Sequence, residues 1–283
     1  MKITGLRYVQ LKGTLDYDGP IGEERLVRPV DIYPEYRALP AAWPLGGQEG
    51  SPYAMTHLYL YIDTDAGVSG AWGPVSRNLA RTIESSLKGI LLGENPHAIE
   101  RIWDKMYRHA IHGRKGETMM AISAVDLALW DLKGKLLDAP VYKLLGGPTR
   151  LKIRAYASML GYSIYPELAA KRAKEVVAQG YTATKWFFRH DPTEGQEGVR
   201  KNLELIQTIR EAVGPDVEIM FDAWSSWNVP YTIRMAELAA EYRPWWFEEP
   251  VLADMIPQYA NKYKTGTIAT IKLTCGVFSD AGI

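Results

Sequence analysis

Thr182-Ala-Thr-Lys-Trp-Phe-Phe188, Val217-Glu-Ile-Met-Phe221 and Trp245-Trp-Phe247 are short apolar runs separated by segments long enough for a helix, the second followed by Asp222 and the third by Glu248-Glu249-Pro250. Apolar runs of this length bounded by turn residues read as buried strands, and the segments Val199–Val213 and about Pro230–Tyr242 between them read as helices. Working outward, Ile153–Ser158 predicts a strand followed by a helix over about Pro166–Ala178. On the other side, a short helix near Met255–Tyr263 and an apolar stretch at Ile268–Leu273 make a candidate fifth unit. Repeated strand-helix units predict a parallel sheet, either open or closed into a barrel. A closed eight-stranded barrel takes about 250 residues, so Leu151–Ile283 holds roughly half of one.

The earlier part of the chain has a different rhythm. Ile3–Leu11 reads as a strand, and His57–Asp63 alternates Leu58, Leu60 and Ile62 against tyrosines. Asp65-Ala-Gly67 then turns the chain into Val68–Trp72, giving a hairpin. From Asn78 the pattern becomes helical, and Met119–Leu137 places Ile122, Val125, Ala128, Leu129, Leu132 and Leu136 on one face. Strands first and helices after indicate an α+β domain. The expected division is residues 1–150 and 151–283. Asp16–Pro52, rich in Pro, Gly and Tyr and without a period, is too long for an ordinary loop and reads as a lid or as disorder.

With 283 residues the length prior is about two domains. Hydrophobic residues at 47% and charged residues at 23% can build a core, which excludes disorder as the main state. Lys+Arg and Asp+Glu are both 33, so no global field favours nucleic acid or an anionic membrane, and a small molecule is the expected partner. A single cysteine, Cys275, excludes a disulfide framework and a cysteine-built zinc site. Met1–Gly5 carries no apolar leader, and no apolar run approaches ~18 residues, so the expected location is the cytoplasm. Phosphate-binding loops, a nucleophile elbow and an H-E-x-x-H zinc motif are absent from the sequence.

The informative carboxylates are Asp222 and the pair Glu248-Glu249, one strand-helix unit apart and each directly after a strand. In a parallel barrel they would stand side by side at the C-terminal rim, where such folds carry their chemistry. Two hard oxygen donors there suit Mg²⁺, which keeps its remaining positions for water or substrate. The competing reading is that Asp222 caps the next helix and the glutamates are solvated. A third acid one unit further on would decide the matter, but position 274 is a threonine. Lys185 ends the preceding strand, where it could orient the acids or act as a base, or be an ordinary rim lysine. Arg189 could receive a carboxylate bidentately. His190, like His57, His97, His109 and His112, has no pattern that lifts it above a packed or surface residue.

Ala121-Ile-Ser-Ala-Val-Asp-Leu-Ala-Leu-Trp-Asp-Leu-Lys-Gly-Lys135, running on through Pro140-Val-Tyr-Lys-Leu-Leu-Gly-Gly147, closely resembles the signature helix of the mandelate racemase/muconate lactonizing group of the enolase superfamily. Asp222 and Glu248 fall where that family carries its first two metal ligands, and the likeness extends to about residue 260. Asp222-Ala-Trp-Ser-Ser-Trp-Asn-Val-Pro-Tyr231, Arg189-His-Asp-Pro-Thr-Glu-Gly195 leading into Gly198-Val-Arg-Lys201, and Gly70-Ala-Trp-Gly73 are similar to acid-sugar dehydratases of the rhamnonate dehydratase type.

The resemblance implies an α+β capping domain followed by a (β/α)7β barrel, here incomplete, with Asp16–Pro52 as capping loops that choose the substrate. It implies Mg²⁺ on Asp222 and Glu248, Lys185 as a catalytic cation set against Glu249, and Arg189 as a substrate contact. The implied reaction removes an α-proton from a bound acid sugar and expels the β-hydroxyl through an enediolate, giving a 2-keto-3-deoxy acid. A homo-oligomer is expected of the full-length protein. The chain departs from the family in two respects. Phe187 stands where a second lysine often ends the strand, which favours a lyase over a two-base racemase or epimerase. Neither a Gly-Gly-Glu-like third ligand nor a later His/Asp pair is found, and Asn261–Ile283 contains one acid, Asp280. A truncation or frame shift near residue 260 accounts for these absences, and a catalytically inactive product is the remaining alternative.

Overall fold

The computed structural model describes residues 1–16, 22–37, 53–113, 115–257 and 271–272. The chain forms two compact units, Met1–Asp18 with Leu45–Ile153, and Gly19–Pro44 with Arg154–Ile283.

The first unit contains a meander of β1 (Ile3–Leu15), β2 (Tyr53–Thr64) and β3 (Ser69–Val75), paired antiparallel in that order. Gly67, at φ 72°, supplies the left-handed residue of the β2–β3 turn. Alternation sends Leu60 and Ile62 of β2 to the core. They join Ile122, Val125, Ala128 and Leu129 of α2 (Glu117–Leu136) and Ile102 and Met106 of α1 (Ile99–His109). The predicted helical face is therefore the buried face, although Leu136 at its end is only half-buried. Strand β3 lies directly on α2. A Cβ on Gly70 would collide with the Ala128 carbonyl oxygen and come within 2.6 Å of Leu132 Cβ. The Ala71 N–H donates to Asp131 Oδ2 at 2.7 Å from the same helix.

The second unit is a five-stranded parallel sheet in the order β4 (Ala157–Ser158), β5 (Ala183–Phe187), β6 (Glu218–Asp222), β7 (Trp246–Glu248) and β8 (Ile271–Lys272). Helices α3 (Pro166–Ala178), α4 (Gly195–Val213) and α5 (Val229–Ala239) occur in the intervals predicted for them. The strand expected over 153–158 forms ladder bonds only at Ala157 and Ser158. The helix expected at 255–263 lies mostly outside the described residues.

Strand alternation sorts the side chains of this unit into two sets. Trp186 and Phe188, Ile219 and Phe221, and Phe247 turn to the helix side, where they pack with Ala173, Leu205, Ile206, Ile209 and Met235. On the opposite face Ala183, Met220 and Trp246 form a small apolar layer. The next inward position along each of these strands carries Lys185, Asp222 and Glu248. One period-2 pattern therefore puts the apolar half of each strand in the core and brings the charged residues together.

Residues 22–37 of the irregular segment belong to this second unit and contain short helical turns at Pro29–Ile32 and Pro34–Arg37. They run across the ends of β4 and β5. The Glu23 N–H donates to the Gly161 carbonyl at 2.6 Å, and Val27 N–H to that of Phe188 at 3.5 Å. The remainder of Asp16–Pro52, beyond Asp16 and residues 22–37, lies outside the described residues, as do Thr274, Cys275 and Asp280.

Candidate active site

Parallel register sets Asp222 of β6 opposite Glu248 of β7, and Phe187 of β5 opposite Asp222. Lys185 begins two residues lower on β5, and its long side chain extends up to the level of the acids. Its Nζ is 3.2 Å from Asp222 Oδ2 and 3.1 Å from Glu248 Oε2. The Phe187 ring, 5.0 Å from Nζ, and the Tyr156 ring, 5.7 Å away, present faces to the ammonium. Relative exposure is 7% for Lys185, 7% for Asp222 and 5% for Glu248, so the solvated-glutamate reading is excluded. The helix-cap reading of Asp222 also fails, because Asn228 caps α5 by accepting from Tyr231 N–H.

Each group is held by a further partner. Asp222 Oδ1 accepts from the Trp224 N–H at 2.9 Å, and Glu248 Oε2 accepts from the Trp246 indole N–H at 3.0 Å. Burial pushes the Asp222 carboxyl up to about 6, outweighing the Lys185 ammonium and the Trp224 N–H, which pull it down. For Lys185 burial acts to lower the pKa, but the two carboxylates outweigh it and the net shift is upward. The ammonium is therefore held charged between the acids.

The backbone just past the strand ends is unusual. Trp224 (φ 42°), Ser225 (φ 59°) and Glu249 (φ 42°) all occupy the left-handed region, which non-glycine residues enter at a cost of about 1–3 kcal/mol. Ala223 N–H donates to the Glu248 carbonyl at 3.0 Å, Ser225 N–H to that of Glu249, and Trp227 N–H to that of Pro250 at 2.8 Å. The loops following β6 and β7 are thus joined directly above the acids. Glu249 is itself buried.

Arg189 stands apart from this cluster. Its Nε faces Glu24 Oε2 at 3.4 Å and its Nη2 donates to the Tyr162 carbonyl at 2.9 Å. Nη1 is buried with no hydrogen-bond partner among the described residues. Glu24 also accepts from the Ser163 hydroxyl and from Ile164 N–H at 3.2 Å, which ties residues 22–37 to the loop after β4. His190 Nδ1 meets Glu194 Oε2 at 2.8 Å within its own loop, as a packed histidine does. The Glu24–Arg189 pair, the Trp246–Glu248 bond and the aromatic faces on Lys185 went unread in the sequence. Phe187, two residues after Lys185 on β5, and Trp246, two residues before Glu248 on β7, share a strand face with their partners and so carry a local signal, whereas Tyr156 and Glu24 come from distant parts of the chain.

The donor chemistry fits a hard divalent cation. Two buried carboxylates from adjacent strands converge on positive charge, here the Lys185 ammonium, and Mg²⁺ is typically bound by one or two carboxylates plus water or substrate. Among the described residues no group of three or more His, Cys, Asp and Glu side chains is arranged around a metal position.

Residues 39–146 match the mandelate racemase / muconate lactonizing enzyme N-terminal domain, and residues 168–274 match the enolase C-terminal domain-like family. The chain belongs to the enolase superfamily. Within it, the chain is 35% identical over 234 residues to L-rhamnonate dehydratase of Saccharopolyspora erythraea, covering 82% of this chain and 55% of that one. Rhamnonate dehydratase from Gibberella zeae complexed with Mg has a TM-score of 0.77 at 28% identity, covering 96% of this chain and 65% of that one. The 3,6-anhydro-D-galactonate cycloisomerase from Zobellia galactanivorans has a TM-score of 0.69 at 26% identity, over 96% and 65%. This superfamily member spans just over half the length of the curated relative it matches. Its first unit is the α+β capping fold and its second a partial barrel. The family match runs to residue 274, so the likeness extends past residue 260, beyond the limit expected from the motifs alone.

Proposed function

We propose that this site serves the Mg²⁺-dependent dehydration of an acid sugar, an aldonic acid of the rhamnonate type, to a 2-keto-3-deoxy acid. The observation that carries the reading is the convergence of Lys185 on Asp222 and Glu248 at the strand ends, in a chain related to rhamnonate dehydratases. Asp222 and Glu248 would hold the Mg²⁺, which when bound supplies positive charge against the negative charge developing on the substrate carboxylate. Lys185, kept charged by the acids, adds a second cation to the same place. Glu249 supports the cluster from behind through the joined loops. Arg189, whose Nη1 has no hydrogen-bond partner among the described residues, provides substrate contact. Loss of the C2 proton and the C3 hydroxyl as water leaves an enol that tautomerises to the keto acid, so atoms and charge balance. Residues 1–150, apart from the segment that packs with the second unit, act as the capping domain and 151–283 as the catalytic domain of a cytoplasmic enzyme that is a homo-oligomer at full length.

The test is incubation with L-rhamnonate and Mg²⁺ in D₂O, followed by NMR. A 2-keto-3-deoxy product carrying deuterium at C3 supports the reading. Deuterium at C2 of recovered acid without loss of water would instead indicate a racemase or epimerase. Unchanged substrate with full protonation would mean that this chain does not perform the chemistry.

A further inference from the structure

Asp222-Ala-Trp-Ser-Ser-Trp227 contains two tryptophans with opposite fates. Trp227 turns inward, 5% exposed, donates its indole N–H to the His190 carbonyl at 3.0 Å, and packs against Phe188 and Phe247. Trp224 turns outward and is 45% exposed. Among the described residues its indole makes neither a hydrogen bond nor a ring contact. A large aromatic side chain is thus left nearly half in water at a position where the backbone penalises it. Glycine would occupy φ 42° at little cost, whereas tryptophan pays steric strain.

That conformation is nevertheless fixed from several sides. Asp222 Oδ1 takes the Trp224 N–H at 2.9 Å, the Ser226 hydroxyl donates to the Trp224 carbonyl at 3.1 Å, and Ser225 N–H is bound by the Glu249 carbonyl. A carboxylate of the charged cluster thus holds the tryptophan's own amide. An exposed, strained aromatic residue locked to such a group has the signature of a ligand-contacting wall.

We propose that the Trp224 indole is a specificity-determining platform that stacks on the C–H face of the substrate's carbon chain while the carboxylate end sits at Lys185, Asp222 and Glu248. This rests on the acid-sugar reading and narrows it to acids with a chain long enough to extend from the charged cluster to the rim. The hydroxyls of an aldonic acid remain in water while its C–H groups cover a ring face that is otherwise wet, an apolar contact of the kind tryptophan makes well.

Calorimetric titration of the whole chain with L-rhamnonate in the presence of Mg²⁺ tests this, using Trp224→Ala and Trp224→Gly. Trp224→Gly also removes the backbone strain, so it separates loss of the indole from loss of folding, and melting curves check both variants. The expected result is binding of L-rhamnonate about tenfold weaker in both variants, with Mg²⁺ affinity unchanged. Glycolate has the carboxylate and α-hydroxyl but no chain to stack, and should bind wild type and variants alike. If wild type binds L-rhamnonate and both folded variants bind it equally, the platform is refuted while the acid-sugar reading stands. If wild type binds no aldonic acid, the acid-sugar reading falls and the platform falls with it. Equal weakening of glycolate and rhamnonate would reduce Trp224 to a structural support of Asp222 and also overturn the inference.

Discussion

The Lys185 ammonium lies 3.1 Å from Glu248 although β6 stands between their strands. The lysine spans that strand, meets Asp222 on the way, and neutralises part of the charge on two buried acids. Deleting one partner of a buried ion pair typically costs about 3–5 kcal/mol because it leaves uncompensated charge behind. Lys185→Met should therefore lower stability by about that amount in chelator, as read by urea denaturation. Added Mg²⁺ should recover a larger share of the loss in this variant than it adds to wild type. Equal Mg²⁺ effects on both would argue against a shared position for ammonium and metal.

Metal binding through Asp222 and Glu248 predicts that Mg²⁺ raises the wild-type melting temperature, since a ligand bound only by the folded state stabilises it. Asp222→Asn and Glu248→Gln should each remove most of that increase. Glu197→Gln, on the exposed first turn of α4, should leave it intact. A Mg²⁺ response that survives the double variant Asp222→Asn/Glu248→Gln would place the ion elsewhere.

Gly70 marks the contact of β3 with α2. An alanine there must push its methyl into the Ala128 carbonyl and Leu132. Overpacking of this kind costs about 1–3 kcal/mol or more. Gly70→Ala should lower the denaturant midpoint, whereas Gly67→Asn, at a turn with nothing close to its Cβ and a φ that asparagine tolerates, should change it little.

Asp126 on α2 is raised to about 6, first by burial and then by Glu100. Because its folded pKa lies above its unfolded value of about 3.9, the fold disfavours the ionised form. Stability from this group is greatest below pH 4, falls as pH rises through 6, and is then level. Asp126→Asn should be close to neutral at pH 4 and stabilising by about 1–2 kcal/mol at pH 8. Thermal melts of wild type and variant across that range should diverge with rising pH, and parallel curves would contradict the assignment.

Local pattern carried most of the fold. The predicted α3 coincides with Pro166–Ala178, and β5, β6 and β7 fall within a residue or two of their predicted ends, because period-2 and period-3.6 spacings encode which face is buried. The same period set Lys185, Asp222 and Glu248 on one face, so the sequence alone determined the charged cluster's residue types and their strand-end positions. It left open whether the acids were caps or converging groups. Pairing between strands decided that, since register and the lateral spacing of a parallel sheet are properties of the neighbours and not of either strand. The outward Trp224, the inward Trp227 and the Glu24–Arg189 pair were likewise decided only in three dimensions. Each depends on a backbone angle or an ion pair closed by residues distant in the chain, and no local spacing records the partner.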